Sequence, residues 1–490
     1  MIMIKRTKIV ATLSVQRCTE ELVRSLFKAG MNIVRINSAH ASLENAAEII
    51  RMVRSVSNSI PVMLDTKGPE IRVTRMDDAY PDGIRFAAGD RVKVRGTSVK
   101  TDIPSTREVI YMNVEHIVRD VPAGATMLIA DGEMELHVEQ KSAEELVCRV
   151  MRDCTLRSRK SVNVPNVSID LPSVTEKDRM YIEWATENGV DFIAHSFVRS
   201  ARDVEAVQAI LDSRNSGIKI ISKIENQEGI DNIDEIIDAS YGIMIARGDL
   251  GIEVPIEQIP GIQRRIIEKC IRKHKPVIVA TQMLHTMINN PRPTRAEVTD
   301  IANAVFSHTD ALMLSGETAN GKYPLEAVQT MARVAEQAEQ DAHREGYLKA
   351  PLADINQREF LSKSAIEATE YLGVKGIITD SGTGETARTL ASFRGPNPVL
   401  AICYKEKLQR WLNLSYGIIA IHQQQHVTAQ YMFTAALRML RQKGFIGEED
   451  KIAYLSGSLG KGNGTTFLEI NQVKEVFNKH YRFHLPDTGI

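Results

Sequence analysis

The fold of this chain is decided by one recurring kind of segment, of which residues 219–226, KIISKIEN, are a clear example. An apolar run ends abruptly at Lys223 and Glu225, as in a buried strand that delivers polar groups to one rim of a sheet. Because residues two apart in a strand point the same way, these two side chains are predicted to face one pocket. A second run, IMIARGDLG at 243–251, ends in the same manner at Asp249. The sequence therefore predicts an ammonium beside two carboxylates at the ends of two strands.

The chemistry of these three side chains indicates phosphoryl transfer with a divalent metal. Carboxylate oxygens are ligands that Mg²⁺ prefers, and an ammonium can neutralise the oxygens of a phosphoryl group in transit. A second interpretation is that Lys223 and Glu225 form only a buried ion pair that links the strands. Features elsewhere in the chain are needed to choose between a phosphoryl-transfer site and a structural ion pair.

Segments of the same kind recur along the chain and predict a barrel. Between most of them lie segments of helical periodicity, such as residues 20–28, which are followed by Gly30 as a C-terminal stop signal. Apolar strands that alternate with helices predict a parallel sheet covered on both faces, and eight such units predict a (β/α)₈ TIM barrel. The predicted strands lie at 8–13, 31–37, 61–67, 191–197, 219–225, 242–249, 276–282 and 311–317.

Two regions depart from this pattern. In residues 72–163, alternating runs such as RVKVR at 91–95 replace the helical period, which predicts a small β domain inserted after the third barrel strand. An insertion at that rim can close over the site as a lid. Residues 346–490 begin a new α/β series and are predicted to form a separate C-terminal domain. The barrel is then built from residues 1–71 and 164–345. The C-terminal strands are predicted at 375–379, 398–404, 417–421 and 451–456.

Composition argues against several classes of protein. The 490 residues include 61 basic and 62 acidic side chains, a net charge of −1, which argues against binding to nucleic acid or to a membrane surface. No run approaches the roughly 20 apolar residues of a membrane span, and the first six residues lack the apolar core of a signal peptide. The five cysteines are scattered and lack CxxC spacing, as expected of reduced thiols. A cytoplasmic location is expected.

Six extended motifs together resemble the pyruvate kinase family. They stand in the family's order and span nearly the whole chain, which is far more specific than one short pattern. In one of them, Thr294 followed by Glu297 also forms a capping-box pattern and is expected to begin a helix. The motifs are LDTKGPEIR at 64–72, SKIEN at 222–226, ARGDLG at 246–251, ATQML at 280–284, PTRAE at 293–297 and MLSGETA at 313–319.

The resemblance implies transfer of the phosphoryl group of phosphoenolpyruvate to ADP, which gives pyruvate and ATP in glycolysis. It assigns Mg²⁺ (or Mn²⁺) to Glu225 and Asp249, and phosphoryl neutralisation to Lys223. Arg35 takes the place of the family's phosphoryl-binding arginine, a task that suits a guanidinium fork. These residues are expected to stabilise charge and to do little covalent work.

The same resemblance places the substrate carboxylate against the backbone N–H groups of Gly248 and Asp249, with the Thr281 hydroxyl completing the contact. Ser315 is expected near the face where the enolate is protonated. For Thr281, a second interpretation is a rim hydroxyl that caps a neighbouring backbone group.

Nucleotide and monovalent-ion sites are also implied. His40, Arg72 and Lys160 match positions that reach the nucleotide phosphates; alternatively, His40 and Lys160 are solvated surface groups. Asn37, Asp65 and the Thr66 carbonyl match three K⁺ ligands. The family's serine is replaced here by Ala39, and Ser38 is displaced by one residue, which turns it to the other face of a strand. K⁺ dependence is therefore left open, with a weaker site expected.

In the C-terminal domain, residues 381–387, SGTGETA, resemble the family's effector loop. Its phosphate ligands would be Ser381, Thr383, Gly384 and Thr386, because hydroxyls and free N–H groups at a helix start favour an anion. Residues 456–466 resemble a glycine-rich lid over that loop. A helix cap beside an ordinary loop is the alternative. The resemblance also implies a phosphorylated effector and a homotetramer.

Two further hypotheses stay open beside pyruvate kinase. One is a Mg²⁺-dependent carbon–carbon lyase acting on pyruvate or phosphoenolpyruvate, which the inserted domain argues against because such an enzyme needs no nucleotide lid. The other is a catalytically weak, effector-binding relative, suggested by the altered second strand.

Overall fold

The computed structural model describes residues 5–98, 101–344, 356–424, 429–457 and 464–482. The predicted fold is confirmed: eight parallel strands close into a barrel, and each pairs with its neighbours in chain order, the eighth returning to the first. The barrel strands are Lys8–Thr12, Ile33–Asn37, Val62–Asp65, Phe192–His195, Lys219–Ile224, Gly242–Ala246, Val277–Ala280 and Ala311–Leu314.

Helices surround these strands, and their ends follow local sequence signals. Thr19 caps the first helix by accepting a hydrogen bond from the Leu22 N–H group, and the predicted capping box of Thr294 and Glu297 is present. The α-helices of the barrel are Glu20–Lys28, Leu43–Val56, Glu176–Glu187, Ala201–Ser213, Gln227–Asp231, Ile233–Ala239, Arg247–Glu253, Ile259–Arg272, Arg295–Phe306, Gly316–Ala319 and Pro324–Arg344. Single 3₁₀ turns occur at Ile256–Gln258 and His285–Ile288.

Side chains alternate across the barrel wall with the period of two that a strand imposes. On the fifth strand, Ile221 belongs to the apolar cluster inside the barrel, while Ile220 packs in the outer layer under the helices. The inward series continues from Ile221 to Lys223. Because of this alternation, the ammonium group of Lys223 lies inside the barrel at the carboxyl end of the strand.

The inserted β domain lies between the third and fourth barrel strands and has its own apolar core, which runs from Ile71 to Ile169. It comprises a seven-stranded sheet and a two-stranded sheet, with one short helix, Ile117–Asp120. Its strands are Ile71–Arg72, Ile84–Phe86, Arg91–Gly96, Val109–Met112, Thr126–Ile129, Met134–Lys141, Leu146–Val150, Cys154–Leu156 and Ser161–Asn163.

The C-terminal α/β domain has a five-stranded sheet with helices packed on it. The four predicted strands are present, and a fifth, Phe467–Gln472, pairs antiparallel at the edge. The predicted junction at residue 346 lies outside the described residues. The other strands are Gly376–Ser381, Val399–Cys403, Ile418–His422 and Lys451–Ser456. The helices are Gln357–Tyr371, Glu385–Ser392, Glu406–Leu412, Ala429–Gln442 and Val473–Arg482.

The C-terminal domain covers the end of the barrel where the strands begin. Leu414 and Trp411 join the apolar cluster inside the barrel. Buried Arg394 pairs with Asp310 at 2.7 Å, just before the eighth strand. Because the C-terminal domain closes this end, a ligand-binding site is expected at the opposite end of the barrel, where the strands finish. Within the described ranges, no helix is both long and apolar enough to cross a bilayer.

Candidate active site

Lys223 is the centre of the buried polar cluster at the open end of the barrel. Its Nζ lies 3.0 Å from Asp65 Oδ1, 3.0 Å from Glu225 Oε1 and 2.7 Å from Ser196 Oγ. The lysine is 8% exposed, so these contacts replace most of its hydration. The fifth strand thus places Lys223 and Glu225 together, as predicted, and adds two partners from the third and fourth strands.

Arg35 extends this cluster toward the first strand. Its Nε lies 2.6 Å from Asp65 Oδ2, and its Nη1 donates to Thr12 Oγ1 at 3.0 Å. Asp65 therefore joins the two cations, one on each carboxylate oxygen. Two positive groups held side by side by one carboxylate can together attract an anion.

The titration of the cluster reflects this pairing. Burial alone would lower the pKa of Lys223, but the carboxylates of Asp65 and Glu225 outweigh it and hold the pKa above its ordinary value. Burial would raise the pKa of Asp65, and the charges of Arg35 and Lys223 reverse that shift. The neighbouring carboxylates therefore favour the charged form of Lys223, the form that electrostatic stabilisation uses.

Glu225 and Asp249 form a pair of carboxylates beside the lysine. Burial first, and then the charge of Asp249, raise the pKa of Glu225 to about 7 against the pull of Lys223. Burial likewise raises the pKa of Asp249. Glu225 Oε2 accepts the Phe197 N–H group at 2.7 Å, which fixes one oxygen. Two buried carboxylates that repel each other are a donor set that fits a divalent cation.

Thr281 and Gly248 are paired with each other. The Gly248 N–H group donates to Thr281 Oγ1 at 2.8 Å, and that hydroxyl donates to the Ala280 carbonyl at 2.5 Å. Thr281 has a φ of 70°, a strained conformation for a β-branched residue. The structure thus brings together the residues predicted to hold the substrate carboxylate, although the Gly248 N–H group is already used by the threonine.

Arg247 fixes this strained turn and was missed by the sequence analysis. Its Nη2 donates to the Thr281 carbonyl at 2.8 Å, and its guanidinium forms two 2.7 Å hydrogen bonds to the carboxylate of Asp300. The arginine within the ARGDLG motif was the available signal, but its partner lies on a distant helix. Ser196 was missed for the same reason, since Lys223 is 27 positions away.

Ser315 lies at the end of the eighth strand and begins a short helix. Its N–H group donates to Glu317 Oε2 at 2.8 Å, and Glu317 Oε1 accepts the Leu284 N–H group at 3.1 Å. Glu317 therefore links the segments that follow the seventh and eighth strands.

The predicted K⁺ ligands meet at the ends of the second and third strands. Asn37 Oδ1 accepts the Ala39 N–H group at 3.0 Å, and the Thr66 carbonyl accepts the Ser196 hydroxyl at 2.7 Å. Both oxygens of Asp65 already face cations. The Ser38 hydroxyl is fully buried and has no hydrogen-bond partner among the described residues.

The three predicted nucleotide ligands come from two domains. Arg72 and Lys160 lie next to each other in the inserted domain, where Ser161 pairs with Arg72 across two strands. Arg72 Nη2 lies 2.7 Å from Glu70 Oε2. His40 is exposed on the barrel.

A cleft of about 380 Å³ separates the inserted domain from the barrel rim. Asp249 and Phe197 line it from the barrel, and Asp131 lines it from the inserted domain. Asn163 Nδ2 donates to Glu253 Oε1 at 2.7 Å across the cleft edge. The inserted domain therefore faces Asp249 across this cleft.

The predicted effector loop lies far from this site, at the start of the helix Glu385–Ser392. Gly384 caps that helix with a φ of 86°, and its N–H group donates to Ser381 Oγ at 2.7 Å. Thr383 is exposed. Thr386 Oγ1 lies 2.7 Å from Thr465 Oγ1, so part of the second predicted loop reaches the first. Residues 458–463 of that second loop lie outside the described residues.

Comparisons with known proteins agree across the whole chain. Residues 4–328 match the family model described as pyruvate kinase, barrel domain, and residues 359–470 match that described as pyruvate kinase, alpha/beta domain. A pyruvate kinase of Borreliella burgdorferi is 45% identical over 478 residues, 96% of this chain and 98% of the relative. A pyruvate kinase of Clostridium acetobutylicum is 39% identical, covering 96% of this chain and 100% of the relative. That of Bacillus licheniformis is 39% identical, covering 97% and 82% respectively.

Proposed function

The chain belongs to the pyruvate kinase family, and on this premise we propose how its residues transfer the phosphoryl group of phosphoenolpyruvate to ADP. The observation that carries the proposal is the position of Lys223, a buried cation between Asp65 and the paired carboxylates. Breaking the bond to the enol oxygen spreads negative charge over the phosphoryl oxygens. A fixed ammonium stabilises that charge without reorganisation of the site.

Arg35 binds the phosphoryl group from the other side. Its Nη2 has no hydrogen-bond partner among the described residues, since Nε contacts Asp65 and Nη1 contacts Thr12. The substrate carboxylate binds beside Gly248 and Thr281, which are hydrogen-bonded to each other in this structure. On binding, the Gly248 N–H group and the Thr281 hydroxyl break this hydrogen bond and contact the substrate instead. Ser315 lies at the neighbouring strand end, where a proton reaches the enolate.

Glu225 and Asp249 would hold Mg²⁺ or Mn²⁺. The bound ion would supply positive charge that offsets the developing negative charge of the substrate. The rise in the pKa of both carboxylates on burial supports this assignment. Asn37, Asp65 and the Thr66 carbonyl would supply three oxygens for K⁺, and Ala39 lacks the hydroxyl that would be a fourth.

The inserted domain is a nucleotide lid. Arg72 and Lys160 on the lid and His40 on the barrel bind the phosphates of ADP, whose charge a cluster of cations offsets. The C-terminal loop with Ser381, Thr383, Gly384 and Thr386 binds a phosphorylated effector at the start of a helix. A cytoplasmic homotetramer acting in glycolysis fits the family.

A coupled assay tests the proposed function. Phosphoenolpyruvate, ADP and Mg²⁺ are supplied with and without K⁺, and pyruvate formation is followed through lactate dehydrogenase. We expect turnover that needs Mg²⁺ and ADP together. Pyruvate formation that does not require ADP would be hydrolysis of phosphoenolpyruvate and would contradict transfer to a nucleotide. The absence of turnover under every condition would favour a catalytically weak relative or a lyase with another substrate.

A further inference from the structure

Both connections between the inserted domain and the barrel converge on one turn, residues 196–199, which follows the fourth barrel strand. The first connection contains Gly68, and the second runs through Ile169 and Leu171. This turn also contacts the buried cluster, because Ser196 accepts a hydrogen bond from Lys223 and the Phe197 N–H group donates to Glu225. The two connections of the inserted domain and the side chains of Lys223 and Glu225 therefore all contact residues 196–199.

The first connection packs directly on the turn. A Cβ atom on Gly68 would lie 2.6 Å from Phe197 Cδ2 and 2.9 Å from Ser196 Cβ, and the glycine has a φ of 75°. The N–H groups of Lys67 and Gly68 donate to the carboxylate of buried Asp178 at 2.9 and 3.1 Å. This backbone is fixed by hydrogen bonds and has no space for a side chain.

The second connection is held by Arg199. Its Nη2 donates to the Leu171 carbonyl at 2.9 Å and its Nη1 to the Ile169 carbonyl at 3.3 Å. Buried Asp203 orients the guanidinium by accepting from Nη2 at 3.0 Å and from Nε at 3.2 Å. Asp203 also accepts the Ser173 hydroxyl. A planar fork that spans two carbonyls cannot be reproduced by a single ammonium.

We infer that Arg199, oriented by Asp203, is a positioning residue that sets the lid relative to the metal-binding carboxylates. It touches neither metal nor substrate in the proposed scheme. The inference rests on the proposed function in taking the inserted domain as the nucleotide lid. Because the lid contributes Arg72 and Lys160 to the nucleotide, loosening its second connection should weaken ADP binding and leave the barrel's own contacts to phosphoenolpyruvate in place.

The test compares three variants with the wild-type protein. Arg199→Met removes both carbonyl contacts, Arg199→Lys keeps a charge that reaches one carbonyl, and Arg202→Met changes an exposed arginine on the neighbouring helix as the matched control. For Arg199→Met we expect the KM for ADP to rise about tenfold, since a charge-assisted hydrogen bond is lost, with kcat and the KM for phosphoenolpyruvate nearly unchanged. Arg199→Lys should recover part of the loss, and Arg202→Met should match the wild type.

Hydrogen exchange gives a second readout that does not depend on catalysis. In Arg199→Met the amides of residues 167–173 should exchange faster, while those of the barrel helices keep the wild-type rate. Equal rises in both KM values, or unchanged exchange at 167–173, would overturn the inference. If the wild type shows no phosphoryl transfer, the proposed function fails, and the exchange comparison still decides whether Arg199 holds the lid.

Discussion

The two ends of the barrel both bury charged side chains, but they differ in how those charges are compensated. At the covered end, Asp310 accepts two hydrogen bonds from Arg394 and one each from the N–H groups of Val277 and Tyr416. At the open end, Glu225 and Asp249 crowd each other beside Lys223, and burial raises the pKa of both carboxylates.

The comparison shows that burial of charge does not by itself mark a site. At the covered end, each oxygen of Asp310 has two protein donors. The open end has more carboxylate than cation and faces a cleft, so it gains stability when a cation binds. Asp310 and the pair Glu225 and Asp249 therefore differ both in how completely protein donors compensate them and in whether they lie beside a cleft.

Removing one partner at the covered end should have the largest effect on stability. Arg394→Met leaves Asp310 buried without its guanidinium, and we expect a loss of about 3 kcal/mol in the free energy of unfolding. Urea unfolding followed by tryptophan fluorescence measures it, because Trp411 lies at this interface. The activity of the folded fraction should be unchanged.

The exposed pair Arg264–Glu268 provides the control for that variant. Arg264→Met should change stability by less than about 0.5 kcal/mol, as surface pairs do. If both variants lose the same free energy of unfolding, the buried pair of Arg394 and Asp310 would not have the structural role described above.

At the open end, Mg²⁺ binding should depend on pH. Because the pKa of Glu225 is raised to about 7 in the metal-free protein, a proton occupies this carboxylate below that pH and competes with the metal. The apparent affinity should fall about tenfold per pH unit below pH 7, and level off above about pH 8. Titration calorimetry near pH 6 and near pH 8 measures this. Equal affinities at the two pH values would contradict the proposed ligand.

A smaller effect is expected from Ala39→Ser, which restores the hydroxyl at the K⁺ site. We expect activity to be stimulated by K⁺ in both proteins, and half-maximal stimulation at a several-fold lower concentration in the variant. Activity is titrated with K⁺ against a tetraalkylammonium salt of equal ionic strength. If neither protein distinguishes the two salts, the K⁺ assignment is wrong.

The effector loop should give a response of similar size. A phosphorylated sugar or nucleoside monophosphate should lower the apparent KM for phosphoenolpyruvate by binding at residues 381–386. Thr383→Glu should abolish that response, since a carboxylate repels the phosphate, and should leave unstimulated activity intact. A metabolite screen by activity and thermal shift provides the measurement. An effector that still acts on the variant would place its site elsewhere.

The barrel could be predicted from the sequence because eight apolar runs have the same polar ending. The strand Phe467–Gln472 was missed because an edge strand is only half buried and shows no continuous apolar run. The predicted strands also extended two or three residues too far at several polar ends, since residues such as Lys67 and Gln282 had been counted with the strand. Those residues lie in the turns that form the site.

For the site, the sequence could predict which side chains meet but not how they pair before a ligand binds. Lys223, Glu225 and Asp65 meet because the third and fifth barrel strands end at the same rim. The left-handed backbone of Thr281, which lets its hydroxyl take the Gly248 N–H group, could not be predicted, because β-branched residues rarely adopt a positive φ. Arg199 depends on carbonyls 28 and 30 positions away.

The most direct test of the central claim uses two lysines on one strand. Lys219 and Lys223 point into the same barrel, Lys219 at the covered end over the Trp411 ring and Lys223 at the open end. We predict that Lys223→Met lowers the rate of phosphoryl transfer from phosphoenolpyruvate to ADP at least about a hundredfold while the folded protein still binds Mn²⁺, and that Lys219→Met retains wild-type turnover. Wild-type turnover in Lys223→Met, or an equal loss in both variants, would contradict the account.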